Sequence, residues 1–280
     1  MHYILLQLRN KTERTRLRNK GVFVTVDSIL SNYMNDKQKV QQSEHFPLLE
    51  RLFNVGAHFG YSRSRRHPSV TPFIFGAKNN VELFDLEKVV ELLERARLYI
   101  EQLGKERKTV LFVGGKNEAR SIVKQVAGEI DMPYVSGRWI GGTLTNFSEI
   151  SKRIKKLEEL REKREKGEFT GRYTKRERLM FDREIADLER HFDGLSSLKE
   201  LPAALVVIDP RREHIAVFEA NLMGIPVVAL LNSDCNMDTV TYPIVANDGA
   251  IKSITFFMEE IIAAYKKGLL ATEDNSQKSE

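Results

Sequence analysis

Three compact apolar runs, each closed by turn residues, restrict this chain more than any other feature. They are TVLFVGG at 109–115, LVVID at 205–209 and VVALL at 227–231. Short unbroken apolar runs bounded by breakers read as strands buried on both faces, since nothing in them alternates with polar residues. PYVSGRW at 133–139 and VELFDLEK at 81–88 add shorter strand signals. Helical spacing fills the intervals. Val89, Leu92, Leu93, Ala96 and Ile100 share one face of a helix that Gly104 is placed to cap. A second helix is expected over about 117–129, and HIAVFEANLMG forms a third that ends at Gly224. Strands alternating with helices imply βαβ crossovers. The expected architecture is a three-layer α/β fold, a mainly parallel sheet with helices on both faces.

One segment breaks the rhythm. Residues 143–195 carry no strand signal and are dense in charge. Ile150, Ile154, Leu157 and Leu160 recur at helical spacing, as do Leu179, Ile185, Leu188 and Phe192, on either side of GEFTGRY. This pattern predicts a protruding antiparallel helical hairpin with a narrow, coiled-coil seam. The α/β domain is then split into 45–142 and 196–268. Its first helix is expected over 46–55. Its last starts at Asn247 or Asp248, either of which can cap it, and stops at Gly268 after Lys266 and Lys267. Residues 1–44 form a basic extension, disordered when free, in which VFVTV at 22–26 is a candidate strand; residues 269–280 form a disordered tail.

Several classes are excluded by composition. The single cysteine, Cys235, permits no internal disulfide and no multi-cysteine zinc site. No apolar run approaches the roughly 20 residues of a membrane helix, and the charges of the first residues follow the apolar stretch, unlike a secretory signal. Net charge is +5 and the pI about 9.1, which favours a polyanionic partner.

The basic residues are concentrated. GAHFGYSRSRRHPSVTPFIFGAK at 56–78 interleaves Arg63, Arg65, Arg66, His67 and Lys78 with four aromatic rings on a chain punctuated by Gly and Pro. Cations among aromatics on an irregular backbone suit a phosphate backbone with exposed bases. A solvated loop beside a core strand would have the same composition. In GRWIGGTLTNF (137–147) Arg138 is a candidate contact. The only tryptophan, Trp139, is better read as a buried anchor for the hairpin base, and Thr143 or Thr145 can cap the next helix. Within the hairpin most cations alternate with Glu, but Lys152, Arg153, Lys155 and Lys156 form a block without an acid.

Two segments admit an enzymatic reading. VLFVGGKNEA leads a strand through glycines and Lys116 into a helix, as a phosphate loop does. GxxxxGK[ST] and GxGxxG are nonetheless absent, and Asn117 stands where a metal-binding hydroxyl would be. Asp209, Arg211, Arg212, Glu213 and His214 follow a strand's carboxyl end, where open α/β sheets bind ligands. The alternative is therefore a nucleotide- or sugar-phosphate-binding enzyme. No GxSxG occurs, and His58, His67 and His214 have no metal-ligand spacing.

The segments GAHFG, RRHPSVTPFIFGAKN, VLFVGGK, GRWIGGTLTNF, LPAALVVIDPRREHIAVFEANLMGIPVVALLNS and YPIVANDGAIKSI occur in this order over about 46–268. Together they resemble the ribosomal protein S-two family, in its bacterial form. The resemblance implies a flavodoxin-like α/β domain with a coiled-coil arm. It implies no catalysis, and no cofactor, metal or small-molecule substrate is expected. The implied role is structural: binding 16S-type rRNA of the small ribosomal subunit, beside neighbouring ribosomal proteins and the messenger-binding protein S-one where that exists. The implied RNA-facing residues are Arg63, Arg65, Arg66, His67, Lys78, Arg138, Asn146, Lys152, Arg153, Lys155 and Lys156. The expected location is the ribosome in the cytoplasm, or in an organelle if residues 1–44 are a presequence.

Overall fold

The computed structural model describes residues 46–169 and 173–277. The basic extension and its VFVTV strand lie outside them. The chain divides between Leu48 and Leu49, and both sheets belong to the second unit, Leu49–Glu280.

Five parallel strands form the main sheet: β4 (Val110–Val113), β5 (Tyr134–Val135), β6 (Ala204–Ile208), β7 (Val227–Leu231) and β8 (Tyr242–Val245). Their order is β5-β4-β6-β7-β8, the arrangement of flavodoxin-like sheets. Register is continuous: Phe112 pairs with Val206, Val206 with Val228, and Val228 with Tyr242. Every residue of β4, β6 and β7 is buried, which accounts for their unalternating sequence. Helix α7 (Ile251–Gln277) packs against both α2 (Leu86–Lys105) and α3 (Asn117–Gly128). Helix α6 (His214–Leu222) packs on β7. Right-handed crossovers leading in opposite directions from the centre of the sheet put α3 and α6 on opposite faces.

Two glycines act otherwise than the sequence suggested. Helix α2 runs through Gly104 to Lys105, and α7 runs through Gly268 to Gln277. A Cβ on Gly104 would lie 2.3 Å from the Tyr265 carbonyl oxygen, and one on Gly268 2.1 Å from that of Glu101. Both glycines therefore let two helix backbones touch, and neither ends its helix. The expected tail is helical as far as Gln277, while residues 278–280 lie outside the described ones. Helix α7 begins at Ile251. Asn247 Oδ1 instead accepts from the Gly249 N–H, and Asp248 is turned into the core.

A second sheet is less legible in the sequence. After α1 (Phe46–Asn54), the strands β1 (Phe59–Ser62), β2 (Ile74–Lys78) and β3 (Val81–Phe84) pair antiparallel in the order β1-β3-β2. Asn79 and Asn80, with φ of 51° and 65°, turn β2 into β3 as tight hairpins require. Short 3-10 turns at Arg63–Arg65 and Pro68–Phe73 fill the excursion between β1 and β2.

Helices α4 (Phe147–Glu165) and α5 (Lys175–Phe192) pack together and bury Ile150, Ile154, Leu157, Leu160, Ile185, Leu188 and Phe192. A Thr174–Glu177 capping box starts α5. Lys156 pairs with Glu184, and Arg161 Nε with Glu189 at 2.9 Å. Both pairs join residues 28 apart in sequence.

Candidate nucleic-acid interface

In an open α/β sheet the carboxyl ends of the strands are the usual ligand position. Here that edge is closed. Lys116, just after β4, points its Nζ at Asp209 Oδ2 (3.4 Å), Asp248 Oδ2 (3.1 Å) and the Tyr61 hydroxyl (3.3 Å). Asp209 follows β6, Asp248 follows β8, and Tyr61 comes from β1 in the small sheet. Burial alone would lower the Lys116 pKa, but Asp248 and Asp209 outweigh it and hold the ammonium charged. Burial raises the pKa of the fully buried Asp248, which Lys116 opposes. Its Oδ1 accepts from Asn232 Nδ2 at 2.8 Å.

The neighbouring glycine turn is equally committed. The Gly115 N–H donates to Glu213 Oε1 at 3.1 Å, and its carbonyl accepts from Arg120 Nε. Burial raises the pKa of Glu213, partly offset by that Gly115 bond. A phosphate loop needs free backbone N–H groups and a free lysine. In this turn the lysine and the Gly114 and Gly115 N–H groups are already engaged, which argues against the nucleotide reading here. Asp209 has φ 62° and accepts from the Arg212 N–H, which ties down the turn. The small sheet seals the edge further. The Tyr61 N–H donates to Ser233 Oγ (3.0 Å), His67 N–H to the Ser233 carbonyl (2.7 Å), and Asn247 N–H to the Ala57 carbonyl (3.0 Å).

The basic segment divides by role. Arg63 and Arg65 are exposed on one 3-10 turn. The Arg65 guanidinium lies 5.7 Å from the centroid of the Tyr61 ring. Lys78 is exposed at the end of β2. Arg66 and His67 are structural. Arg66 Nη1 meets Glu82 Oε1 at 3.2 Å, and Glu82 is 1% exposed. His67 Nδ1 accepts from the Ser69 N–H and so caps the second turn. Ser69 Oγ in turn accepts from Met237 N–H. Arg66 and His67, expected to face RNA with the other three, are half-buried and engaged in these contacts.

The second group lies at the β5 edge of the main sheet. Arg138 is exposed, and Trp139, 5% exposed, is the buried anchor expected of it. The cap of α4 is Asn146 by position, exposed and without a side-chain capping bond. Neither Thr143 nor Thr145 takes that role: Thr143 Oγ donates to the Ile140 carbonyl, and Thr145 Oγ to Glu219 Oε2. On α4, Lys152 pairs with Glu149 and Lys156 with Glu184. Among the described residues, Arg153 and Lys155 make no ion pair, and both are exposed. Asn146 and Arg153 are brought together in a groove of about 460 Å³, along with Gly142, Glu149, Asp187 and His191. No group of three His, Cys, Asp or Glu among the described residues could hold a metal ion. None of the helices described is long and apolar enough to cross a membrane.

The sequence was compared with known proteins. The family model described as Ribosomal protein S2 matches residues 52–268. The chain belongs to the ribosomal protein S2 family. Among curated relatives, the small ribosomal subunit protein uS2 of Acidothermus cellulolyticus is 41% identical over 223 residues, covering 80% of this chain and 81% of that protein. The uS2 protein of Nitratiruptor sp. is 40% identical over 220 residues, covering 79% and 82%. That of Sulfurimonas denitrificans is 42% identical over 220 residues, covering 79% and 85%. The recognition of a bacterial-type S2 protein and of its α/β fold is correct. S2 proteins are structural ribosomal components and not enzymes, which agrees with the closed ligand edge.

The sequence reading passed over Glu82 and Glu219, and named Glu213 only as a candidate acid at the ligand edge. Glu82, Glu213 and Glu219 are buried acids in this S2 chain. Each lies at a position of local polarity that sequence alone could not distinguish from an exposed helix or strand face. A glutamate within the otherwise apolar HIAVFEA run was the one available signal for Glu219, since an unpaired acid on a buried face is costly.

Proposed function

We propose that this chain docks on 16S-type rRNA of the small ribosomal subunit through exposed cations held on a rigid frame. The reading is carried by one observation: Arg63, Arg65, Lys78, Arg138, Arg153 and Lys155 are all exposed and outside any ion pair among the described residues. Lys152, Lys156 and Asn146 lie beside them on α4. Their chemistry is phosphate neutralisation with counterion release, and the frame fixes their spacing so that shape selects the site. Arg65 with Tyr61 and the exposed Phe75 offer stacking surfaces for unpaired bases. Neighbouring small-subunit proteins, and an S-one protein where one exists, are the further partners. The protein works bound to the ribosome in the cytoplasm.

The test is sedimentation of the intact protein with small subunits across a salt series. The double replacement of Arg63 and Arg65 by Ala reduces incorporation and flattens the dependence of log K on log salt by about 0.9 for each phosphate that is no longer neutralised. An unchanged slope and unchanged co-migration of the folded variant would remove these residues from the interface.

A further inference from the structure

Glu219 lies on α6, yet every hydrogen bond its carboxylate accepts comes from one distant loop. Oε1 takes the Trp139 indole N–H (3.1 Å) and the Gly142 N–H (2.8 Å). Oε2 takes the Leu144 N–H (3.0 Å), the Thr145 N–H (3.2 Å) and the Thr145 hydroxyl (3.3 Å). The residue is 4% exposed. Burial alone would raise its pKa, but the N–H donors of Leu144, Gly142, Trp139 and Thr145 prevail and hold it below the usual carboxylate range.

The loop has no strand or helix of its own, so its backbone donors need a partner from elsewhere. Gly142 at φ +89° supplies the turn that aims them at one point. Trp139, Thr143 and Leu144 are drawn inward by this arrangement, while Arg138, Gly141, Thr145 and Asn146 remain on the surface. A ring of convergent N–H groups just before a helix is an anion site by nature. Here a side chain of the protein fills it, so an RNA phosphate has no access to these donors.

We propose that Glu219 is the positioning residue of the rRNA interface: its carboxylate folds residues 139–145 and thereby fixes where Arg138, Asn146 and the start of α4 meet RNA. This rests on the rRNA-binding reading above. The geometry demands a carboxylate, with two acceptor atoms. Gln would turn an NH2 group toward either the Trp139–Gly142 pair or the Leu144–Thr145 pair, leaving buried donors without an acceptor. Asp keeps the charge but is one methylene too short to reach both sides.

The experiment uses the full chain and its sole tryptophan, Trp139, whose indole N–H is itself one of the five donors. Glu219→Gln and Glu219→Asp are compared with wild type and with Arg138→Ala by three measurements. These are native-state Trp emission, amide exchange at Gly142, Leu144 and Thr145, and incorporation into small subunits. The expected result for Glu219→Gln is red-shifted emission and exchange faster by about tenfold at those three amides. Amides of β6 and β7 should stay protected, and incorporation should fall at least as far as in Arg138→Ala. If Gln prevents folding, Glu219→Asp carries the same test. Unchanged emission and exchange in a folded variant overturn the proposal whatever the RNA result. A loosened loop with normal incorporation overturns it too, provided Arg138→Ala is impaired. If Arg138→Ala also incorporates normally, the rRNA reading of this loop fails and the proposal falls with it.

Discussion

Arg66 provides a sharp test, because the sequence groups it with Arg63 and Arg65 while the structure separates it from them. Its Nη1 lies 3.2 Å from Glu82 Oε1. Glu82 sits mid-strand in β3, and its second oxygen, Oε2, has no hydrogen-bond partner among the described residues. Replacing Arg66 by Ala would leave this carboxylate buried with no countercharge. Breaking a buried pair in this way costs about 3–5 kcal/mol. The Arg66 side chain is 26% exposed, and water that enters the gap recovers part of the loss, so a value near the lower bound, about 2–3 kcal/mol, is expected. Arg63→Ala should stay within about 0.5 kcal/mol. Urea unfolding with an unchanged m-value measures both. Adding Glu82→Gln to Arg66→Ala should recover much of the loss, since the uncompensated charge is then gone. The reasoning is refuted if Arg66→Ala proves no more destabilising than Arg63→Ala.

Two further outcomes follow from the packing. Lys116→Met strands Asp209 and Asp248 together and should cost about 3–5 kcal/mol at pH 7. Burial already raises the Asp248 pKa, and losing Lys116 raises it further. A carboxyl whose folded pKa exceeds its unfolded value, about 3.9, costs stability at high pH and ceases to as pH falls. The variant's thermal midpoint should therefore move toward that of wild type between pH 7 and about pH 5, and a constant gap would show that Asp248 is not the stranded charge. Gly268→Ala forces a methyl to within 2.1 Å of the Glu101 carbonyl, so α2 and α7 must separate at a cost of about 1–3 kcal/mol. Chemical denaturation reads this directly, and a neutral result would mean that the two backbones part freely.

The centre of the main sheet was legible because β4, β6 and β7 are buried on both faces and so carry no polar residue to blur the signal, whereas β8 (Tyr242–Val245) drew no strand reading. Of the small sheet only β3 was legible, through VELFDLEK at 81–88. Its strands are four or five residues long, with irregular register between Phe59 and Ser62 and between Ile74 and Gly76. Its segment reads by composition as a loop. Gly104 and Gly268 were misread for a related reason: glycine serves equally to end a helix and to let two helices touch, and only the neighbouring backbone tells which. The interface was half visible. Sequence finds cations, but whether a cation is free depends on acids far away in the chain, such as Glu82 for Arg66 and Glu184 for Lys156. The same distance hid Glu219, which is separated from the loop it organises by more than seventy residues.

The lid over the strand ends has a consequence for where the autonomous folding unit begins. Tyr61 and His67 supply partners to Lys116 and to the Ser233 backbone, so the first strands are a keystone of the parallel sheet despite preceding it. A fragment trimmed to start at α2 would keep all five parallel strands and still open a charged, unsolvated wound at their tips. The native arrangement of this edge therefore draws on both halves of the described chain, because Asp248 lies near the last helix and its covering sheet near the first.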